Sequence, residues 1–135
     1  MSSDAAGVIR GLTDAAAARD YERVREYFAR DAVWFGTRGG IDEDQVVRGP
    51  DAAVRYLREI QETWQRFDVE IEQIVEVGDA AVAFLRERGI ARHAELEVDN
   101  ATAVVFVVRG GQISEATGYL DRDEALAAAR RRAPG

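Results

Sequence analysis

Apolar positions recur at helical spacing in the first quarter of the chain and at strand spacing in most of the rest. Over Asp4–Ala18, Val8, Ile9, Leu12 and Ala16 form one stripe, which predicts an amphipathic helix with Asp4 as N-cap. Asp20 restarts the pattern, with Tyr21, Val24, Tyr27 and Phe28 at helical spacing up to Asp31. The period then changes. Ala32–Phe35 is a short β-rich run stopped by Gly36 and the Gly39-Gly40 pair, and the acidic stretch 41–47 predicts a loop. Gly49-Pro50-Asp51 opens a third helix whose apolar face is Ala53, Tyr56, Leu57, Ile60 and Trp64, running to about Arg66.

Four strands in meander follow. Val69–Val77 turns at Gly78-Asp79 into Ala80–Ile90, and Asp99–Arg109 turns at Gly110-Gly111 into Gln112–Leu120. Asp121 then caps a last helix through Ala129, with Glu124 at capping-box spacing. No repeat, linker or low-complexity stretch interrupts the order, so residues 1–135 read as one α+β domain with helices segregated against an antiparallel sheet.

Composition narrows the chemistry. The chain has no cysteine and a single histidine, His93, and all 18 basic residues are arginine. Disulfides, thiolate nucleophiles, Schiff-base lysines and imidazole or thiolate metal sites are thereby excluded, and no cofactor or metal is expected. The three serines, Ser2, Ser3 and Ser114, lie in no nucleophile elbow. A net charge of −7 repels phosphate backbones, so no nucleic-acid partner is expected. The Arg130-Arg131-Arg132 run is accounted for as compensation of a helix C-terminus. Neither a bilayer-spanning apolar run nor a secretory signal pattern is visible, which predicts a cytoplasmic protein without membrane contact.

The strand Ala101–Val108 is apolar at both parities, whereas a strand with one wet face alternates. Helices account for one covered face. A second subunit, giving a homodimer through the sheet, is the economical cover for the other, and a terminal helix folded over it is the alternative.

The punctuation of this order resembles the SnoaL-like branch of the nuclear transport factor 2-like superfamily over nearly the whole chain. The resemblance is carried by Ala18-Arg19-Asp20, by Phe28-Ala29-Arg30-Asp31-Ala32-Val33-Trp34, by Val47-Arg48-Gly49-Pro50-Asp51-Ala52 and by Tyr119-Leu120-Asp121-Arg122-Asp123-Glu124-Ala125-Leu126. It implies a cone-shaped half-barrel, a curved sheet wrapped around three helices with a C-terminal helix, and an apolar cavity at the wide end. Such domains serve as isomerases, epoxide hydrolases, polyketide cyclases and binding or assembly modules.

The residues that the known chemistries of this superfamily need are missing. Steroid isomerization of this kind uses an aspartate base, a tyrosine and a protonated acid, which the resemblance aligns with Gly36, Leu12 and Ala103. The Asp-Arg-Asp trio of the epoxide hydrolases aligns with Gly118, Arg88 and Ile90, leaving an arginine that cannot activate water alone. The cyclase acid of the last strand aligns with Gly118 or Ala116, with Glu115 one register away.

Strand parity nominates Trp34, Phe84, Arg86, Arg88, Asp99, Ala101, Ala103, Val105, Ala116, Gly118 and Leu120 for the concave side, joined by Tyr56 and Trp64 from the third helix. The small residues among them leave room for an apolar or aromatic ligand, unless neighbouring side chains fill it. Arg86 and Arg88 either clamp an anion or pair with Glu70, Glu72 or Glu97 on adjoining strands. Asp99 is either a buried acid–base group or a turn residue, and His93 is expected at an exposed hairpin tip. The expected function is a cavity for a small, largely apolar ligand in a binding or accessory role. The alternatives are a cofactor-free isomerase, cyclase, lyase or hydrolase using Asp99 or Glu115 with an arginine, and an assembly module with an incidental pocket.

Overall fold

The computed structural model describes residues 5–93 and 95–132, so the expected cap at Asp4 lies outside the described residues. Its elements are α1 (Ala5–Ala17), α2 (Tyr21–Glu26), β1 (Phe28–Arg38), β2 (Val46–Arg48), α3 (Pro50–Thr63), β3 (Trp64–Val77), β4 (Ala80–Ala91), β5 (Glu97–Arg109), β6 (Gln112–Tyr119) and α4 (Arg122–Arg132). The six strands form one unclosed sheet in the order β2-β1-β6-β5-β4-β3. β3 to β6 make the expected meander, while β1 lies parallel to β6, the one parallel pair in an otherwise antiparallel sheet.

The sequence expectation is corrected most at three places, each because a tertiary pairing outweighs local periodicity, and β1 also runs on through the expected stop at Gly36 to Arg38. α2 stops at Glu26 and Phe28 already pairs with Ile113 of β6, fixed by the Ile113 N–H donating to the Tyr27 carbonyl at 2.7 Å. The acidic loop ends in a short strand, β2, that pairs with Val33–Phe35 of β1. α3 ends at Thr63, and Trp64 opens β3 because the β3–β4 hairpin is paired along its whole length, from Trp64 with Ala91 to Val77 with Ala80.

Two apolar layers sandwich the sheet. On the concave side Val8, Ile9, Leu12 and Ala15 of α1, Val24 of α2 and Ala53 of α3 pack with Ala81, Ala83, Phe106, Ile113 and Ala116. On the convex side Ala125 and Ala129 of α4, both fully buried, sit on Ala80, Val82, Ala103, Val105 and Val107. The doubly apolar β5 is therefore covered within the chain, by the terminal helix. The pattern that suggested a homodimer does not require one.

Asp121 caps α4 as expected, its Oδ1 accepting from the N–H groups of Asp123 at 2.8 Å and Glu124 at 3.1 Å. Arg122, the first residue of that helix, reaches across the sheet. Its guanidinium donates to the carbonyls of Thr102 (3.1 Å) and Leu85 (2.7 Å), pairs with Glu72 and lies 5.2 Å from the Phe84 ring centre. The basic run at the helix end also has partners, because Arg132 pairs with Asp79 at 3.2 Å and Glu115 at 3.1 Å.

Candidate functional site

Between α1, α3 and the concave face lies a cavity of about 270 Å3. Apolar side chains make most of its wall, among them Leu12, Phe28, Leu57, Ile60, Val104 and Phe106. Trp34 sits at its aromatic side, stacked on Phe28 (centroids 5.8 Å) and meeting Tyr56 edge-on at 4.9 Å. Two larger depressions, of about 750 and 490 Å3, are open clefts along the β4–β5 hairpin lined by exposed charged residues such as Arg92, Glu97 and Asp99. A mostly apolar and less open wall is the better ligand site, so the smaller cavity is the candidate.

The expected strand parity is corrected by one residue. In β4, Ala81, Ala83, Leu85 and Glu87 face the helices, while Ala80, Val82, Phe84, Arg86 and Arg88 face the other way. Their β5 partners sort alike, with Thr102, Val104 and Phe106 inward and Asp99, Ala101, Ala103 and Val105 outward. Of the nominated residues the cavity gathers Trp34, Tyr56, Ala116 and Gly118; Ala103 borders it while packing in the α4 layer. Phe84 and Val105 are convex and covered by α4, Ala101 is exposed, and Leu120 stands outside the last strand at 47% exposure. Trp64 stacks on Phe67 at 6.1 Å and covers Gly89, away from the cavity.

Neither nominated acid enters the site. Asp99 is an exposed mid-strand residue on the convex face, bonded to Arg86 at 2.6 Å and 3.8 Å from Arg88, so these arginines pair across strands with Asp99 and not with the expected glutamates. The Arg86 guanidinium holds the Asp99 carboxyl below its ordinary value. That is a surface ion pair of small energetic consequence. Glu115 is convex too, paired with Arg132. His93 lies exposed at the hairpin tip, as expected.

The buried acid of the site is Glu87; Asp68 also borders the cavity but is exposed and pairs with Arg66 at 2.8 Å. Glu87 lines the cavity, and Thr102 Oγ1 donates to its Oε1 at 2.6 Å. Burial raises its pKa above the ordinary 4.5, the Thr102 bond opposes the rise and the charge of Asp42 adds to it. A second polar unit stands near it. The turn at residues 40–45 folds back over β1 and brings Asp42 to the Tyr56 hydroxyl, which donates to Oδ2. Burial, then the Asp42 bond, push the Tyr56 hydroxyl pKa up, so it keeps its proton. Third, Gln61 is buried under α1, its Nε2 donating to the Ala16 carbonyl at 2.8 Å and its Oε1 accepting from Tyr21 and from Arg19 at 3.5 Å.

The signal for Glu87 was present as an acid in the row Ala81-Ala83-Leu85-Glu87. It could not be used because Ala80–Leu85 is apolar at both parities and so gives no phase. Asp42 left no periodic signal at all, since a turn places it.

Glu87 also gives a pH prediction. A carboxyl whose folded pKa exceeds its unfolded one binds more protons folded. Its contribution is therefore most favourable below the unfolded value and is lost as pH rises from near 4.5 through the folded pKa. Glu87→Gln is expected to raise the urea midpoint at pH 7.5 and to match the parent at pH 4. An equal gap at both values would show that Glu87 bears no buried charge.

A half-open sheet curled around three helices, with a largely apolar cavity between them, is the architecture of the ketosteroid isomerase-like cone. Residues 9–116 match the SnoaL-like domain, and the chain belongs to that family. Solved structures agree. A hypothetical protein of ketosteroid isomerase-like fold from Catenulispora acidiphila, crystallized with trimethylamine, is 16% identical with a TM-score of 0.74, over 94% of this chain and 93% of that one. TerC co-crystallized with polyporic acid is 15% identical with a TM-score of 0.75, over 96% and 99%. A SnoaL-like polyketide cyclase from Jannaschia sp. is 20% identical with a TM-score of 0.72, over 96% and 92%. No curated protein matches the chain. At these identities the likeness is one of fold. Among the described residues no cluster of metal-ligating side chains occurs, and no helix is long and apolar enough to cross a membrane.

Proposed function

We propose that the cone cavity holds a compact, largely apolar organic molecule, and that Glu87 is the polar contact through which it is held. The observation that carries this reading is the largely apolar wall with one buried acid, Glu87, anchored in it: Thr102 engages Oε1 and no protein group engages Oε2. The related folds crystallized with trimethylamine and with polyporic acid support a small-molecule occupant. The expected carboxylate–arginine pairing is replaced in this reading by a carboxylate alone, because no cationic side chain lines the cavity.

Fragment screening by protein-observed NMR tests it. Shift changes are expected at Trp34, Tyr56, Leu85 and Val104, and Val104→Trp, which fills the cavity from β5, is expected to abolish them while the dispersed spectrum persists. Changes confined to the hairpin cleft around Ile90 and Leu96 would overturn the reading.

A second reading, favoured by the raised pKa of Glu87, is cofactor-independent proton transfer with that carboxylate as base. It predicts deuterium incorporation at carbon into bound fragments in D2O with the parent protein and none with Glu87→Gln. Equal incorporation by both would remove the base.

A further inference from the structure

The cavity's polar groups can be accounted for one by one, and most of their hydrogens are already committed. Tyr56 donates to Asp42, Thr102 donates to Glu87, and Thr13 donates to the Ile9 carbonyl at 2.8 Å. Gln61 spends an Nε2 hydrogen on the Ala16 carbonyl, and its Oε1 is taken by Tyr21 and Arg19. What these residues still offer an occupant is mainly lone pairs, on Glu87 Oε2, the Tyr56 hydroxyl oxygen and the Thr13 and Thr102 hydroxyl oxygens, beside the one remaining Nε2 hydrogen of Gln61. Thr37 is a lining hydroxyl free to act in either sense, and the Trp34 indole N–H is a lining donor without a protein acceptor, whereas Tyr119 borders the cavity but packs in the α4 layer.

Charge points the same way. No arginine lines the cavity, although the chain carries 18 basic residues. The ion pairs among the described residues join surface carboxylates such as Asp51, Asp68, Asp79 and Asp99 to arginines, and none of them includes Glu87 or Asp42. The aromatic side of the wall, Phe28, Trp34, Tyr56 and Phe106, supplies surfaces on which a cation is favoured over an anion.

We propose that the cavity selects molecules whose polar end donates hydrogen bonds, and that its preferred ligand is a compact alkyl- or arylammonium ion, the N–H groups meeting Glu87 and the hydrocarbon lying against the aromatic wall. An ammonium supplies both the missing countercharge and the missing donors. A carboxylate supplies neither and is repelled. A carbonyl or epoxide oxygen meets no cationic group, only neutral donors such as the second Gln61 Nε2 hydrogen and the Trp34 indole N–H, so the wall is poorly suited to stabilizing an oxyanion. This inference rests on the cavity being a ligand site, as proposed above.

Three probes of one shape separate the possibilities: neopentylammonium, neopentyl alcohol and pivalate, titrated by NMR or calorimetry at pH 7.5. The cation is expected to bind roughly tenfold or more tightly than the alcohol, with no binding of pivalate. In Glu87→Gln, an isosteric change that keeps an acceptor for Thr102, the cation is expected to fall to the level of the alcohol, while the alcohol moves by less than about twofold. Binding of the alcohol as tight as that of the cation, or any binding of pivalate, overturns the donor-and-cation selectivity and leaves the cavity reading standing. So does a cation affinity unchanged by Glu87→Gln. Binding of none of the three removes the ammonium proposal, and with the fragment screen also silent it removes the cavity reading.

Discussion

Gly36→Ala is expected to cost about 3 kcal/mol, lowering the melting temperature by about 10 °C, and to separate Tyr56 from Asp42. Gly36 is buried in β1, at the place where the 40–45 turn doubles back on the strand, and its N–H donates to the Gln45 carbonyl at 2.9 Å. A Cβ built there lands on the Asp42 carbonyl oxygen, closer than real Cβ contacts come, and the next atom met is the Asp42 carbonyl carbon. Both are backbone, so no rotamer change relieves the clash. Either β1 bends or the turn lifts away. In both cases Asp42 leaves the Tyr56 hydroxyl, which then keeps its proton without a protein acceptor. Thermal unfolding reads the stability, and the Tyr56 ring resonances read the contact. A variant that melts with the parent and keeps those resonances would show that the turn is not held against β1. The same packing explains why the residue aligned with the isomerase base is a glycine: its side-chain space is occupied by the backbone that delivers Asp42.

Arg122→Ala is expected to cost about 2 kcal/mol, or about 7 °C. The guanidinium joins α4 to the middle of the sheet through two strand carbonyls, and alanine leaves both without that donor. The contact with the Phe84 ring and the pairing with Glu72 disappear as well. Arg122→Lys should recover little, because one ammonium cannot reach Thr102, Leu85 and Glu72 from a single fork. The loss is local to the α4 layer. Amide exchange should therefore quicken in α4 and under it, at Val82, Val105 and Val107, before it quickens in α1. Uniform quickening would mean that α4 is not a separable cover. If instead a second subunit gripped the convex face, the melting temperature of the variant would rise with protein concentration.

How far the site was legible follows from which residues carry a phase. Trp34 falls on the cavity side because the β-rich run 32–35 marks its strand, although β1 runs on through Gly36, the expected stop, to Arg38; Tyr56 does so because α3 has one clear apolar stripe. Ala116 and Gly118 were placed correctly in β6. The β4 and β5 candidates were placed on the wrong face together, since an error of phase moves every residue of a strand at once. Asp99 looked like a turn acid because Asn100 follows it, yet pairing with Arg88 carries the ladder past it to Ile90 and Glu97. Glu87 was passed over for its neighbour Arg88 on the same misphased strand.

The amino-acid order by itself determined the order of the four helices and of five of the six strands, the turns at Gly78-Asp79 and Gly110-Gly111, the cap at Asp121, the α+β class and the absence of thiol and lysine chemistry. These are local properties, set by backbone conformation and residue type within a few positions. Tertiary structure decided where β1 begins, which face of β4 and β5 meets the helices, that α4 covers the other face, and that Glu87, Thr102 and Tyr56 line one cavity with Asp42 bonded to Tyr56. A strand buried on both sides shows no alternation from which its orientation can be taken, and a turn that folds onto a distant helix makes its contact through space alone.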